Sequence, residues 1–128
     1  MKFPADLKYT KTDEWIKVEG SEATIGITDY AQNALSDLVF VELPEVGDSL
    51  QRDASFGTVE SVKAASDLHT PIAGSVSAVN KDLLDTPEKI NSDPYGAAWL
   101  IKIKPDDLSQ LNDLMDVSAY KAYCDERG

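Results

Sequence analysis

Gly57-Thr58-Val59-Glu60-Ser61-Val62-Lys63-Ala64-Ala65-Ser66-Asp67-Leu68, followed by Thr70-Pro71-Ile72-Ala73-Gly74, is the stretch from which the fold is read. Thr58, Val59 and Val62 are β-branched and suit a pleated strand. Downstream, Leu68 to Ile72 is expected as a second strand, with Pro71 at an edge or a bulge because it has no N–H to give to a ladder. The small residues Ala64, Ala65 and Ser66 lie between them and leave room around Lys63. The pattern predicts a hairpin whose tip holds Lys63 in solvent. An isolated exposed lysine is ordinarily just part of a solvated surface. Here Val62 and Ala64 flank it, Glu60 and Asp67 bring acid on both sides, and nothing bulky or basic stands near. The ε-amine is open to an acylating enzyme.

Working outward, the upstream half reads as short strands. Leu7 to Thr10 opens the chain. Glu14 to Glu19 and Glu22 to Ile27 are joined by Gly20-Ser21, a two-residue turn in which glycine supplies positive φ. Ile16 and Val18 alternate on one strand; Ala23, Ile25 and Ile27 alternate on the next. Thr28 is expected as a helix N-cap, with Asp29 in the first turn and the helix ending near Ser36. Val39 to Leu43 alternates up to Pro44, a turn cluster runs to Asp48, and Ser49-Leu50 and Ala54 to Val62 complete this half. Beyond the tip, Gly74 to Asn80 is a strand and Lys81 to Leu84 a looser region. Thr86-Pro87-Glu88-Lys89 is a capped helical turn, Asn91 to Gly96 a loop, and Trp99 to Lys104 a final strand. After Pro105, Leu108, Leu111, Leu114 and Met115 recur at helical spacing, and Tyr120, Tyr123 and Cys124 form a second stripe. Short strands with turn signals and peripheral helices argue for a mainly β sandwich or flattened barrel.

Composition narrows the function. The 128 residues suit one domain, 1–128, with a modest core. Twelve basic residues against 23 acidic ones leave a net charge of −11. Such a surface repels phosphate backbones and anionic membranes, which argues against nucleic-acid and membrane partners. It favours partners with basic docking faces, though acid also simply keeps a protein in solution. One cysteine, Cys124, leaves no internal disulfide or cysteine zinc site, and one histidine, His69, leaves no histidine triad. His69 is read as a surface residue, Cys124 as core, and Trp15 and Trp99 as packing residues. No signal or transit pattern is evident near Met1, so a cytoplasmic protein is expected, or a mitochondrial matrix protein if the chain is a processed eukaryotic one. Monomer is the default.

The segment Glu60-Ser61-Val62-Lys63-Ala64 with Ser66-Asp67-Leu68 resembles the lipoyl-attachment segment of the glycine cleavage system H-protein family. Four further stretches resemble it in the same order: Glu14-Trp15; Gly26 to Gln32; Asp37 to Pro44; and Asn91 to Gly96, running on to Trp99-Leu100. The resemblance implies a barrel-sandwich hybrid of the lipoyl/biotinyl-carrier type. Two antiparallel sheets would carry short peripheral helices and a C-terminal helical segment at about 106–125. It implies a non-catalytic carrier with lipoic acid in amide linkage to Lys63. Glu60, Ser61, Val62 and Ala64 would be read by a lipoate ligase or lipoyl transferase. The implied partners are a pyridoxal-phosphate glycine decarboxylase (P-protein), a tetrahydrofolate-dependent aminomethyltransferase (T-protein) and dihydrolipoyl dehydrogenase (L-protein). Two positions depart from the family pattern: Asp13 stands where histidine is common, and Ser36 where glycine is frequent.

The resemblance also implies a cargo, the aminomethyl group of glycine carried on a lipoyl sulfur from the P-protein to the T-protein before the L-protein reoxidises the dithiol, and that cargo imposes a requirement. A sulfur and an amine sharing one carbon decompose when the nitrogen lone pair expels the thiolate, and protonation removes that lone pair. A nearby carboxylate raises the amine's pKa, and a recess excludes water. Glu14 is the first candidate acid, Asp67 the second, and Thr12 a hydroxyl neighbour; the alternative for Glu14 is a solvent-facing acid at a strand start. A protein relaying lipoate to other proteins fits the same residues. A biotinyl carrier would bracket its lysine with methionines, and 2-oxoacid dehydrogenase lipoyl domains are smaller and joined to long linkers. A hydrolase with paired carboxylates and an unmodified interaction module are the readings from other classes.

Overall fold

The computed structural model describes residues 1–127. Strands β1 (Lys8–Tyr9), β2 (Glu14–Glu19) and β3 (Glu22–Ile27) form a meander whose β2–β3 turn is closed by Gly20 at φ 61°. Helix α1 (Asp29–Leu35) follows, capped by the Thr28 hydroxyl, which accepts from the Ala31 N–H as expected. Then come β4 (Leu38–Glu42), β5 (Ser49–Leu50), β6 (Ser55–Ser61), β7 (Ala65–His69) and β8 (Gly74–Val79). Two single-turn helices, α2 (Asp82–Asp85) and α3 (Lys89–Ser92), lead to β9 (Ile101–Pro105), a 3-10 helix (Leu108–Asp113) and helix α4 (Val117–Arg127). The strands form two antiparallel sheets: a six-stranded one ordered β1-β2-β3-β9-β8-β5 and a three-stranded one ordered β4-β6-β7.

The large sheet is held by rows of side chains running across it. Ile16 pairs with Ile25, Ile25 with Ile101 and Ile101 with Val79. A parallel row joins Ala23, Ile103 and Val76. Val41, Val59 and Leu68 of the small sheet join the same buried core. Each fully buried isoleucine contributes roughly 1.5–3 kcal/mol, so these rows make a large contribution to the core the two sheets share. The opposite face of β1 and β2 presents Tyr9 and Trp15 to a second cluster with Tyr120 and Cys124 of α4. Tyr9 and Tyr120 stack with ring centroids 4.5 Å apart.

Several expectations are corrected. The strand expected at Leu68 to Ile72 begins earlier, at Ala65, and ends at His69, so Ala65 and Ser66 belong to the ladder rather than to a spacer. Pro71 lies past the strand's end, where no ladder N–H is demanded. Simple alternation over Val39 to Leu43 fails because a bulge lies between Leu38 and Phe40. Leu38 and Val41 point inward while Val39 and Phe40 are both exposed. The segment at Lys81 to Leu84 closes a helical turn, α2, and the turn expected at Thr86 to Lys89 forms later, as α3, taking in Asn91 and Ser92. The last strand starts at Ile101; Trp99 leaves the alternating face and packs with the aromatic cluster. The C-terminal stretch is not one helix, because Met115 is drawn into extended backbone by hydrogen bonds with Tyr9, Tyr9 N–H to Met115 O at 2.8 Å and Met115 N–H to Tyr9 O at 3.0 Å.

Other family-like stretches prove to be structural fasteners. The Asn91 amide donates to Ser36 O at 2.8 Å and accepts from the Leu38 N–H at 2.9 Å, tying the end of α1 to the start of β4. Trp15 Nε1 donates to Pro94 O at 3.0 Å, and the Tyr95 hydroxyl accepts from the Asp29 N–H while donating to Lys2 O. A Cβ on Gly57 would overlap the carbonyl oxygen of Glu42, so β4 and β6 approach this closely only over glycine. No helix among the described residues is long and apolar enough to cross a membrane. Ser36 sits at φ 71°, ψ −154°, a region that residues with a Cβ occupy at a cost of about 1–3 kcal/mol. Ser36→Gly is therefore expected to raise unfolding free energy by about 1 kcal/mol, after the extra chain entropy of glycine is deducted. Urea denaturation measures this; an unchanged or lowered midpoint would show that Ser36 is unstrained.

Candidate functional site

The hairpin tip is a four-residue turn, Ser61-Val62-Lys63-Ala64, closed by the Ser61 N–H donating to Ala64 O at 2.7 Å. Ser61 fixes it from inside: its hydroxyl oxygen accepts from the N–H of Lys63 at 3.2 Å and of Ala64 at 3.0 Å. The Val62 N–H donates to Asp37 O at 3.1 Å, which moors the tip to the residue preceding β4. Lys63 is exposed, and its ammonium forms no ion pair among the described residues. The backbone is thus fixed while the side chain is free, the combination that presents an amine to an incoming active site.

At the far end of β7 lies the second part of the site. On β2, Glu14 is two residues before Ile16 and so shares its inward face. Its side chain is only 1 % exposed, which removes the reading of a solvent-facing acid. Oε1 accepts from the Thr10 hydroxyl at 2.7 Å and from the Thr12 hydroxyl, and Oε2 accepts from the His69 N–H at 3.1 Å. A cleft of about 190 Å³ opens here, lined by Thr12, Glu14, Ile27, Leu35, Val59 and Asp67 among others. Thr12 and Glu14 therefore meet Asp67, from a distant part of the sequence, at one cavity. Asp67, however, alternates with Ser66 and Leu68 along β7 and pairs across to Thr58, so its carboxylate turns to the outer face of the small sheet.

Two residues at this site were not legible as such. Thr10 holds the Glu14 carboxylate and also accepts from the Glu14 N–H at 3.0 Å; the signal was a hydroxyl spaced to bond backbone locally ahead of a strand. His69, expected at the surface, is half-buried, and its Nδ1 is buried without a hydrogen-bond partner, 3.7 Å from Glu14 Oε2. Asp13, at φ 71°, forms the corner between Thr12 and Glu14. Its carboxylate accepts from Arg127 at 2.6 Å and 3.1 Å and from the Tyr120 hydroxyl at 2.8 Å. Arg127 in turn lies over the rings of Tyr30 and Tyr123, 4.3 Å and 4.0 Å from their centroids. The charge of Asp13 is paired away at the C-terminal helix, leaving Glu14 as the acid enclosed by the cleft. No cluster of ligands suited to a metal ion occurs among the described residues.

Burial pushes the Glu14 carboxyl above its ordinary value, and the hydroxyls of Thr10 and Thr12, the His69 N–H and the imidazole only partly pull it back. A carboxyl with a raised folded-state pKa stabilises the fold fully below the unfolded pKa, and that contribution is lost as pH rises through the folded value. Ionising Glu14 as pH rises therefore costs the fold stability. Glutamine keeps an acceptor for the His69 N–H and can donate to the threonine hydroxyls. Glu14→Gln is therefore expected to raise Tm at pH 8 by roughly 4 °C, the shift produced by about 1 kcal/mol in a domain of this size. The difference should close near pH 4; scanning calorimetry across that range tests it, and a lower Tm at pH 8 would show that the carboxylate stabilises.

The family model described as glycine cleavage H-protein matches residues 7–127. The chain is similar to the glycine cleavage system H protein of Bacteroides thetaiotaomicron, 54% identical over 122 residues covering 95% of this chain and 97% of that protein. Its likeness to the corresponding protein of Acidobacterium capsulatum is 50% over 126 residues, 98% of this chain and 97% of the other. The crystal structure of a glycine cleavage system H protein from Mycobacterium marinum superposes with a TM-score of 0.86 at 40% identity, covering 94% of this chain and 97% of that one.

Proposed function

This chain belongs to the glycine cleavage H-protein family, and from that premise we propose that Lys63 is its lipoyl-bearing residue and the Glu14 cleft the resting place of its cargo. The protein is the carrier component of the glycine cleavage system, moving the aminomethyl group of glycine between enzymes. The reading gives the chain a carrying and protecting role, with the bond-making steps left to its partners.

The residues fit the group. The ammonium of Lys63 is free of ion pairs and stands on a turn braced by Ser61. From Ala65 to His69, β7 covers four strand steps, about 13 Å. A lysine lengthened by a lipoyl amide extends roughly 14 Å by its bond count, so an arm rooted at the tip matches the length of β7. When bound, lipoate supplies a disulfide that is reduced as it takes up the aminomethyl group and must be reoxidised afterwards.

What the chain contributes at the cleft is electrostatic. Glu14, enclosed and held at both oxygens, offers a negative charge to an ammonium where water is scarce, which keeps that amine protonated. Thr10, Thr12 and the His69 N–H keep the carboxylate in place when the cleft is empty. Asp67 borders the cleft, its place in the β7 ladder turning its side chain toward the outer face of the small sheet.

The wider assignments follow from the same membership. The partners are the P-, T- and L-proteins and a lipoate ligase or lipoyl transferase. The compartment is the one housing those enzymes, the cytoplasm in a bacterium.

The observation that carries this reading is the pairing of an unencumbered Lys63 with an enclosed Glu14 at the two ends of one strand. Incubation with a lipoate ligase, lipoate and ATP is expected to add one lipoyl mass, and Lys63→Arg to abolish it; a lipoyl group found elsewhere, or none, removes the proposal. Glu14→Gln should still be lipoylated, yet lose its aminomethyl load as ammonia and formaldehyde about tenfold faster, the effect of lowering the amine pKa by one unit. An unchanged lifetime would take Glu14 out of the mechanism.

A further inference from the structure

The outer face of the small sheet, beside the Lys63 turn, combines two features that the carrier role alone leaves unexplained. The first is apolar exposure. Val62 in the turn is 68 % exposed, Val39 at the β4 bulge 55 % and Phe40 48 %. Phe40 pairs across to Glu60, one residue before the turn, and Val62 is hydrogen-bonded to Asp37, so all three sit at one end of the sheet. An inward-facing Phe40 would have joined the core; the bulge turns it and Val39 out instead. The second feature is charge. The strands β4, β6 and β7 contain no lysine or arginine, and from Val18 to Gln51 the chain has none. Phe40, Glu42, Glu60 and Asp67 share the outer face by register, giving an apolar centre with an acidic frame.

We propose that Val39, Phe40 and Val62 form the docking surface for the enzyme that acylates Lys63, seated in an apolar depression rimmed by lysine or arginine. This rests on Lys63 being the lipoylated residue and adds which protein face is read, and by what. Reach selects the occupant. A bare lysine extends roughly 6 Å from its Cα, so an enzyme forming the amide must close down on the turn and its immediate neighbours. Enzymes acting on the far end of the lipoyl arm work at more than twice that distance and have no need to touch β4. Amide formation joins Nζ to the acyl carbon of an activated lipoate, expels the activating group and releases a proton from the amine. The turn's own residues could not confer selectivity alone, since Ser61 is spent on bracing the backbone. An aromatic anchor beside an acidic rim supplies it, and the acids also steer a basic enzyme toward the amine.

The test uses the full chain in its unlipoylated form, with lipoate ligase, lipoate and ATP, and follows initial rates by intact mass. Phe40→Ser and the pair Val39→Ser with Phe40→Ser are expected to lower kcat/KM for lipoylation by roughly tenfold or more, with unchanged Tm. Leu108→Ser, an exposed apolar site on the 3-10 helix, should leave that rate as it was. The same variants, driven to full lipoylation with excess ligase, should accept aminomethyl groups from the decarboxylase within about twofold of the parent rate. Equal lipoylation of parent and Phe40→Ser overturns the proposal while leaving Lys63 as the modified residue. Equal losses at both steps also overturn it, because the face would then be a general docking surface. Failure of the parent chain itself to gain a lipoyl group at Lys63 would overturn the proposal together with the reading beneath it.

Discussion

The hydrogen bond from the His69 N–H to the Glu14 carboxylate crosses from the small sheet to the large one. Its donor is the last residue of the strand that begins beside Lys63, and its acceptor is the first residue of β2. Because the acceptor is a carboxylate drawn out of water, the bond is made only while Thr10 and Thr12 also satisfy that group; otherwise the desolvation cost would drive the acid outward. The same satisfied carboxylate both locks β7 against β2 and leaves an acid at the inner end of the cleft. Stability and function thus draw on one group in opposite directions: ionisation weakens the fold and equips the site.

Much of this architecture was readable in the chain because local rules and the global arrangement agree. Gly20-Ser21, Thr28 and the alternations of Ile16 and Ile25 predicted their turn, cap and faces correctly, since each depends on neighbours within a few residues. The failures share a cause. β7 began early because the Ser61 side chain closes a tighter turn than composition suggests. The bulge that exposes Val39 and Phe40 lies where Leu38 and Phe40 pair with Ser61 and Glu60 of another strand, a register that no pattern within β4 itself announces. Met115 is extended only because Tyr9, at the opposite end of the chain, claims its backbone.

The site shows the same division. Lys63 and its turn were legible because their chemistry is local. Glu14 was picked out by resemblance, but its burial depended on a register that places it on the face of Ile16. Asp67 was placed at the arm cleft by proximity to the tip; it does border that cleft, while strand alternation, which proximity alone does not reveal, turns its side chain toward the outer face. Asp13, an acid where the family commonly has histidine, raised the prospect of extra charge in the cleft. Arg127 of α4 absorbs that charge, and no pattern near Asp13 announces a partner at the other terminus.

The β4 bulge also bears on what the protein avoids. β4 is an outermost strand of its sheet, so part of its backbone is available for pairing with another chain. Straight, apolar, uncharged edges template aggregation. Here the edge is kinked at Val39, and acids stand at Asp37 and Glu42 on either side of its exposed hydrophobic residues. Two copies brought edge to edge would set like charges against one another across an irregular ladder. At the crowded concentrations a shuttling protein can reach, that repulsion disfavours a twin while still admitting a partner of opposite sign.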